Sequence, residues 1–166
     1  MQKAEKTGRL AGISRIEVKG GRPVALAEVA ISRASGVEGD IHGSSQKRQV
    51  TVLFRDGWEA ACHDLGVVLP WTIRRANLFV DGLSAPPPGS MISVGDAVLQ
   101  VQGETTPCFK MDDRYAGLQN ALKPDMRGGV CCSVVQAGLV RVGDAVKKLP
   151  SAPAPVSQEN PDELRS

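Results

Sequence analysis

Short apolar runs recur along this chain, separated by turns that contain Gly and Asp. In the run at 97–102, Leu99 and Val101 alternate with Gln100, so one side of a strand is expected to be buried. Many short strands joined by Gly-rich turns are typical of a closed or nearly closed barrel. The sequence therefore predicts a mainly β fold, a closed β-barrel with a few short helices. The predicted strands are 10–18, 25–32, 50–54, 77–80, 97–102, 130–136 and 145–149.

Two segments depart from the strand pattern and predict helices. Trp58 and Cys62 recur at helical spacing with charged residues between them, which indicates an amphipathic helix over 55–65. A second apolar stripe follows Asp112, a suitable N-cap residue, and predicts a helix over 112–122.

Composition limits the partners of the chain. The net charge is +2 and only 4% of the residues are aromatic, which argues against nucleic acid and against a charged membrane surface as partners. The N-terminus has no apolar core of a signal peptide, and no run is long enough to cross a membrane. We therefore expect a cytoplasmic protein with one domain over 1–149 and a disordered, Pro-rich tail over 150–166.

The four cysteines must be explained one at a time, because none forms a CxxC pair typical of a zinc ribbon or a thioredoxin-like site. Cys62 lies on the apolar stripe of a predicted helix and is interpreted as a small buried hydrophobe. Cys131 and Cys132 are neighbours in a predicted strand, so their side chains point to opposite faces. Neither of the two is expected to be functional.

Cys108 differs from the other cysteines because it lies in GETTPCFKMDD, between a predicted strand and a predicted helix. Pro107 lacks an N–H, so strand pairing should stop there and leave the thiol on a stiff loop. A helix beginning near Asp112, together with Lys110, would favour the thiolate. The residues alone leave two alternatives open: a reactive thiol, or a cysteine that fills space under a loop.

Three further segments carry polar residue types that suit an anionic ligand. They are GVEGDIHG with the following KRQV, RRANLFVDGL, and RGG, and each has a purely structural alternative as a turn or a solvated surface. The first contains Asp40, His42 and Arg48; the second Arg74, Arg75 and Asn77; the third Arg127 and Gly128. Two histidines in the whole chain make a His-based zinc site an improbable interpretation.

Taken in order, these segments resemble a known family. GVEGDIHG, KRQV, RRANLFVDGL, GSMISVGDAVLQV, TPCFK, RGGVCCSVV and AGLVRVGDAV together are similar to a MOSC domain, the molybdenum cofactor sulfurase C-terminal domain, over 10–149. The resemblance implies a barrel like the pyruvate kinase β domain and an association with the molybdenum cofactor, molybdopterin. It implies that Cys108 is a sulfur carrier or a molybdenum ligand, and thus the catalytic and metal-binding residue. The residues whose types suit the cofactor are Asp40, His42, Arg74, Arg75, Asn77, Thr106, Lys110, Arg127 and Gly128, with Thr105 beside them.

The chain also departs from larger members of that family. It has no room for a pyridoxal-phosphate desulfurase domain, so a separate cysteine desulfurase would have to load sulfur on Cys108, or an external reductase would have to supply electrons. The resemblance thus implies sulfur transfer or a molybdenum-dependent reduction of N-hydroxylated compounds, with enzymatic activity left open. The alternative is a non-catalytic barrel that binds the cofactor or a protein partner, with a structural Cys108.

Overall fold

The fold is a closed β-barrel of seven strands, seen in a computed structural model that describes residues 6–45 and 48–150. The ring strands are β1 (Thr7–Arg15), β5 (Val50–Phe54), β6 (Leu78–Asp81), β7 (Met91–Val94), β8 (Ala97–Glu104), β9 (Val130–Gln136) and β11 (Ala145–Leu149). Their order around the ring is β1, β6, β5, β9, β8, β7 and β11, and β11 pairs with β1 to close it. All pairings in the ring are antiparallel except that of β5 with β6.

Four further strands lie outside this ring. β2 (Val24–Leu26) pairs with the end of β1, and β3 (Glu28–Ser32), β4 (Gly36–Val37) and β10 (Gly138–Arg141) form a separate sheet in the order β10-β3-β4. The predicted single strand over 25–32 is therefore two strands that belong to different sheets. The predicted mainly β barrel is confirmed.

The alternation of side chains along the strands creates two apolar clusters. Along β8, Ala97, Leu99 and Val101 point inward and are buried, as the period-2 pattern predicts. Along β5, Val52 packs in the barrel interior whereas its neighbour Leu53 packs outside, against the helices. The second cluster lets the helices cover one side of the barrel.

Helix α1 (Arg55–Leu65) has the predicted bounds, but the prediction over 112–122 is wrong in its continuity. That segment contains two short helices, α2 (Lys110–Arg114) and α3 (Leu118–Ala121). Gly117 between them has a φ of 89°, a left-handed conformation that a continuous helix cannot contain. The predicted N-cap role of Asp112 is also wrong, because Asp112 lies inside α2, whose N-cap residue is Phe109. Its Oδ1 instead accepts a hydrogen bond from the backbone N–H of Gln119, in the first turn of α3, at 2.9 Å.

Among the residues described, no helix is long and apolar enough to span a membrane. The predicted tail over 150–166 lies outside the described residues, apart from Pro150. Its predicted disorder therefore remains a prediction.

Candidate functional site

A cavity of about 440 Å³ opens where the end of β1, the segment before β6 and the segment after β8 converge. Its volume lies within the range of small-molecule sites in proteins. Cys108 lines this cavity together with seven of the nine predicted cofactor-binding residues. Those seven are Asp40, His42, Arg74, Arg75, Asn77, Lys110 and Gly128.

The loop over 105–111, called the Cys108 loop, begins where its sequence predicts that strand pairing ends. β8 ends at Glu104, and the N–H of Thr105 makes one more bond, to the carbonyl oxygen of Gly129 at 2.8 Å. Pro107 follows with no N–H to donate. The carbonyl oxygen of Cys108 then accepts the N–H of Met111 at 3.0 Å, so α2 begins two residues earlier than the predicted Asp112. Cys108 is exposed at this corner.

The guanidinium of Arg74 contacts both ends of the Cys108 loop, at Thr105 and Met111, and the segment before β9, at Gly128. Its Nη2 donates to the carbonyl oxygen of Thr105 at 2.7 Å, and its Nε donates to that of Gly128 at 3.1 Å. Nη1 lies 3.5 Å from the Met111 sulfur, and the whole side chain is only 8% exposed. The guanidinium therefore faces protein carbonyls, which assigns Arg74 first to shaping the cavity.

The cavity has a strong positive charge. Five cationic side chains and one carboxylate, Asp40, line it; the cations are Arg48, Arg74, Arg75, Lys110 and Arg114. Burial lowers the pKa of Arg74 to about 10, and Cys108 partly opposes that change. Burial and then repulsion from Arg75 lower the pKa of Arg114, again with Cys108 opposing. These cations make the cavity suitable for an anion.

Asp40 and His42 form a fixed corner of the cavity. The carboxylate of Asp40 is 4% exposed and accepts the N–H of Ile16 at 2.8 Å and the N–H of His42 at 3.1 Å. The imidazole of His42 is 70% exposed, and its Nδ1 lies 3.9 Å from Oδ2 of Asp40. The carboxylate of Asp40 therefore bonds the backbone of its own turn, which is the structural alternative given for this segment. The exposed imidazole of His42 is accessible to a ligand.

Two predicted cofactor-binding residues, Thr106 and Arg127, do not line the cavity. A third, Asn77, lines it, but its side-chain polar atoms already make hydrogen bonds within the barrel. Arg127 donates to Asp64 at 2.7 Å and to the carbonyl oxygen of Ala121 at 2.9 Å. The Oδ1 of Asn77 accepts the N–H of Thr51 at 3.1 Å, and its Nδ2 donates to the carbonyl oxygen of Ser14 at 3.2 Å.

Sequence reasoning missed Arg114 as a lining residue. Its only signal was a basic residue after Asp112 and Asp113, and the broken helix decides where it points. Arg48, which was noted in its segment but not assigned to the cofactor, also lines the cavity. So does Thr105, whose Oγ1 is buried and has no hydrogen-bond partner among the described residues.

The other three cysteines are buried free thiols. Cys62 packs in the cluster under α1, and the Sγ of Cys131 lies 3.6 Å from the carbonyl oxygen of Gly103. Cys132 is fully buried in the barrel, and this burial raises the pKa of its thiol. Within 6–45 and 48–150, no group of three or more His, Cys, Asp or Glu side chains could hold a metal ion.

A sequence profile described as MOSC domain matches residues 38–147, which include the cavity from Asp40 to Gly128. The chain belongs to the MOSC domain family. No curated protein matches this MOSC chain significantly.

Solved structures share the fold of this MOSC chain. The YUAD protein from Bacillus subtilis is 20% identical with a TM-score of 0.75, and the match covers 87% of this chain and 97% of that one. YiiM from Escherichia coli is 18% identical with a TM-score of 0.65, covering 90% and 72%. YiiM from Geobacillus stearothermophilus is 15% identical with a TM-score of 0.71, covering 90% and 79%. At these identities the likeness is one of fold alone.

Proposed function

We propose that this MOSC protein binds the molybdenum cofactor in the cavity and that the Cys108 thiolate is the protein's ligand to the metal. The observation that carries the proposal is an exposed thiol beside a cavity lined by five cationic side chains and one carboxylate. The cofactor is an anionic, phosphate-bearing pterin, and guanidinium groups are its natural partners. A thiolate is a soft ligand that suits such a metal.

The residues of the cavity fit the cofactor better than they fit a bare metal ion. One cysteine without other protein ligands within the described residues cannot hold a metal alone, but it can complete the coordination of a metal that arrives with its own ligands. The buried Oγ1 of Thr105, which has no hydrogen-bond partner within 6–45 and 48–150, could bond a polar edge of the pterin. Cavity, charge and donor set therefore agree.

The cationic residues have different roles in this proposal. Lys110, Arg48 and Arg114 have cavity-facing charges that would hold the phosphate, together with Arg75, whose Nη2 also donates to the carbonyl oxygen of Gly21 at 2.7 Å. Arg74 would act indirectly, through the loop that it holds. His42, whose imidazole is 70% exposed at the rim, would hydrogen-bond the ligand.

The molybdenum, when bound, supplies oxygen-atom transfer chemistry. For an N-hydroxylated substrate, R–NHOH takes up two electrons and two protons and yields R–NH₂ and water. An external reductase would supply the electrons. The chain's own contribution is to bind and orient the anion, and to provide the thiolate.

A sulfur-carrier role is the second candidate, favoured by the exposure of Cys108 alone among the four cysteines. The Cys108 thiolate attacks the terminal sulfur of a persulfide R–S–SH on a separate desulfurase. A new S–S bond forms on Cys108, the donor's S–S bond breaks, and R–S⁻ leaves and takes up the thiol proton. The products are Cys108–S–SH and R–SH, so sulfur and electrons balance.

Purification from cells that make the cofactor tests the proposal. Elemental analysis should find molybdenum in the wild-type protein and in Cys62→Ala, a buried control, but little in Cys108→Ser. An intact mass increased by one sulfur atom on Cys108 would identify the carrier. A Cys108→Ser protein that keeps both its molybdenum and its extra sulfur contradicts both roles and favours a non-catalytic binding module.

A further inference from the structure

The cations that line the cavity at Cys108 differ from other arginines of the fold in having no carboxylate partner. Arg15, Arg127 and Arg141 each pair with a carboxylate, at 2.8, 2.7 and 3.1 Å. Within 6–45 and 48–150, no carboxylate forms an ion pair with any of the five lining cations, Arg48, Arg74, Arg75, Lys110 and Arg114. The carboxylate of Asp40, which also lines the cavity, accepts backbone N–H groups. The cavity therefore holds positive charge that an anionic ligand can neutralise.

The Cys108 thiol lies among these charges, since it is exposed and lines the same cavity. Burial lowers the pKa of both Arg74 and Arg114, and Cys108 opposes the change in each. The two guanidinium groups also approach the Met111 sulfur, at 3.5 and 3.9 Å. A thiolate that attacks an anion meets like-charge repulsion, which nearby cations reduce. The cavity therefore suits a nucleophile whose substrate is itself an anion.

A buried hydroxyl adds a hydrogen-bonding group to the wall of this cavity. Thr105 lines it with only 9% of its surface exposed, and within the described ranges its Oγ1 has no hydrogen-bond partner. A buried polar atom without a partner is uncommon in a folded protein, and a ligand that supplies the partner explains it. Because a hydroxyl can donate to an oxyanion, Thr105 and the cations favour the same type of ligand.

We propose that Cys108 takes sulfur from a small sulfur oxyanion of the thiosulfate type, in which a transferable outer sulfur is bonded to a sulfonate group. This donor presupposes the sulfur-carrier role given above and takes the place of a persulfide on a separate protein. The lining cations would hold the sulfonate oxygens, and Thr105 would donate to one of them. The volume of about 440 Å³ accommodates such an anion.

The transfer balances without a further reactant. The Cys108 thiolate attacks the outer sulfur of thiosulfate, a new S–S bond forms, and the bond between the two donor sulfurs breaks. The electron pair of that bond leaves with sulfite, and Cys108–S–S⁻ remains, so atoms and total charge are conserved. The cations that hold the sulfonate also stabilise sulfite as it leaves.

Mass spectrometry of the full chain after incubation with sodium thiosulfate tests this donor. The intact mass should increase by one sulfur atom, peptide mapping should place that atom on Cys108, and added cyanide should remove it as thiocyanate. Excess sodium sulfate, an anion of similar shape without a transferable sulfur, should slow the loading. Sodium chloride at the same ionic strength should slow it less.

Two variants separate binding of the anion from reactivity of the thiol. Arg114→Met removes a lining cation and should slow loading by thiosulfate about ten-fold or more. Thr105→Val removes the hydroxyl and should slow it about five-fold, while alkylation of Cys108 by neutral iodoacetamide stays unchanged. Arg141→Met, which removes a surface arginine outside the cavity lining, is the matched control and should load like the wild type.

Glutathione persulfide distinguishes the oxyanion donor from the carrier role on which it rests. Loading of Cys108 by the persulfide but not by thiosulfate overturns the oxyanion donor and leaves the carrier role intact. No sulfur on Cys108 from either compound contradicts both, and neither result bears on molybdenum binding. The oxyanion donor is also overturned if sulfate does not slow the loading, or if Arg114→Met and Thr105→Val both load at the wild-type rate.

Discussion

Replacing Arg74 is the substitution that most sharply tests how the Cys108 loop is held. In Arg74→Met the apolar stem remains, but the carbonyl oxygens of Thr105 and Gly128 lose their guanidinium donors. In Arg74→Lys the positive charge remains, but a single ammonium cannot reproduce the planar fork. We expect both variants to fold, with a loosened loop over 105–111.

The magnitude follows from the two lost donors. A buried acceptor left without a partner costs about 1–3 kcal/mol, so Arg74→Met should lower the free energy of unfolding by about 3 kcal/mol. In a domain of this size that corresponds to a melting temperature lower by about 10 °C. Arg74→Lys, which can still reach one carbonyl, should lose about half as much.

Two measurements check this expectation. Urea unfolding gives the change in free energy, and hydrogen exchange over 105–111 reports the loop itself. The N–H groups of Thr105 and Met111, bonded at 2.8 and 3.0 Å, should exchange faster in Arg74→Met. Arg141→Met is the matched control, because Arg141 pairs with Glu28 on the surface, where an ion pair contributes about 0–1 kcal/mol. A free energy of unfolding for Arg74→Met within about 0.5 kcal/mol of the wild type would show that Arg74 does not hold the loop.

Three further predictions follow from the structure. Native alkylation with iodoacetamide, followed by peptide mapping, should label Cys108 first and the three buried cysteines only after unfolding; equal labelling would contradict their burial. The raised pKa of Cys132 stabilises the fold below the ordinary thiol pKa of about 8.5, and this contribution is lost as pH rises above it. From pH 8 to pH 9.5 the wild type should therefore lose about 1 kcal/mol more stability in urea than Cys132→Val, and parallel curves would argue against this account. Gly129→Ala should lower the stability measured by thermal unfolding by about 2 kcal/mol or more, because Gly129 has a φ of 92° and a Cβ would overlap the carbonyl oxygen of Val52; an unchanged melting temperature would show that the backbone moves freely there.

The fold could be predicted from the sequence because the local apolar patterns match the strands and the helix observed in the barrel. Apolar alternation along β8 and the stripe on α1 are each local, and both appear as predicted. The prediction of one helix over 112–122 was wrong because a single residue in the left-handed conformation, Gly117, interrupts the apolar stripe. A stripe shows which face is buried, but it does not show whether the helix is continuous.

The residue types of the candidate site could be read from the sequence, but its geometry could not. Cys108, Lys110 and His42, which the resemblance groups together, line one cavity. Arg74 and Arg127 look alike in the sequence, each beside another polar or glycine residue, yet one lies under the Cys108 loop and the other pairs with Asp64. Which carbonyl or carboxylate an arginine meets depends on tertiary contacts between distant segments, which no local pattern encodes.

In the proposed function, Cys108 provides the protein's thiolate to a cofactor held in the cationic cavity. X-ray absorption at the molybdenum edge tests this ligation, with wild-type and Cys108→Ser proteins loaded with the cofactor at saturating concentration. We expect one sulfur neighbour of molybdenum fewer in Cys108→Ser than in the wild type. The same number of sulfur neighbours in both, or no molybdenum bound by either protein, would contradict ligation by Cys108.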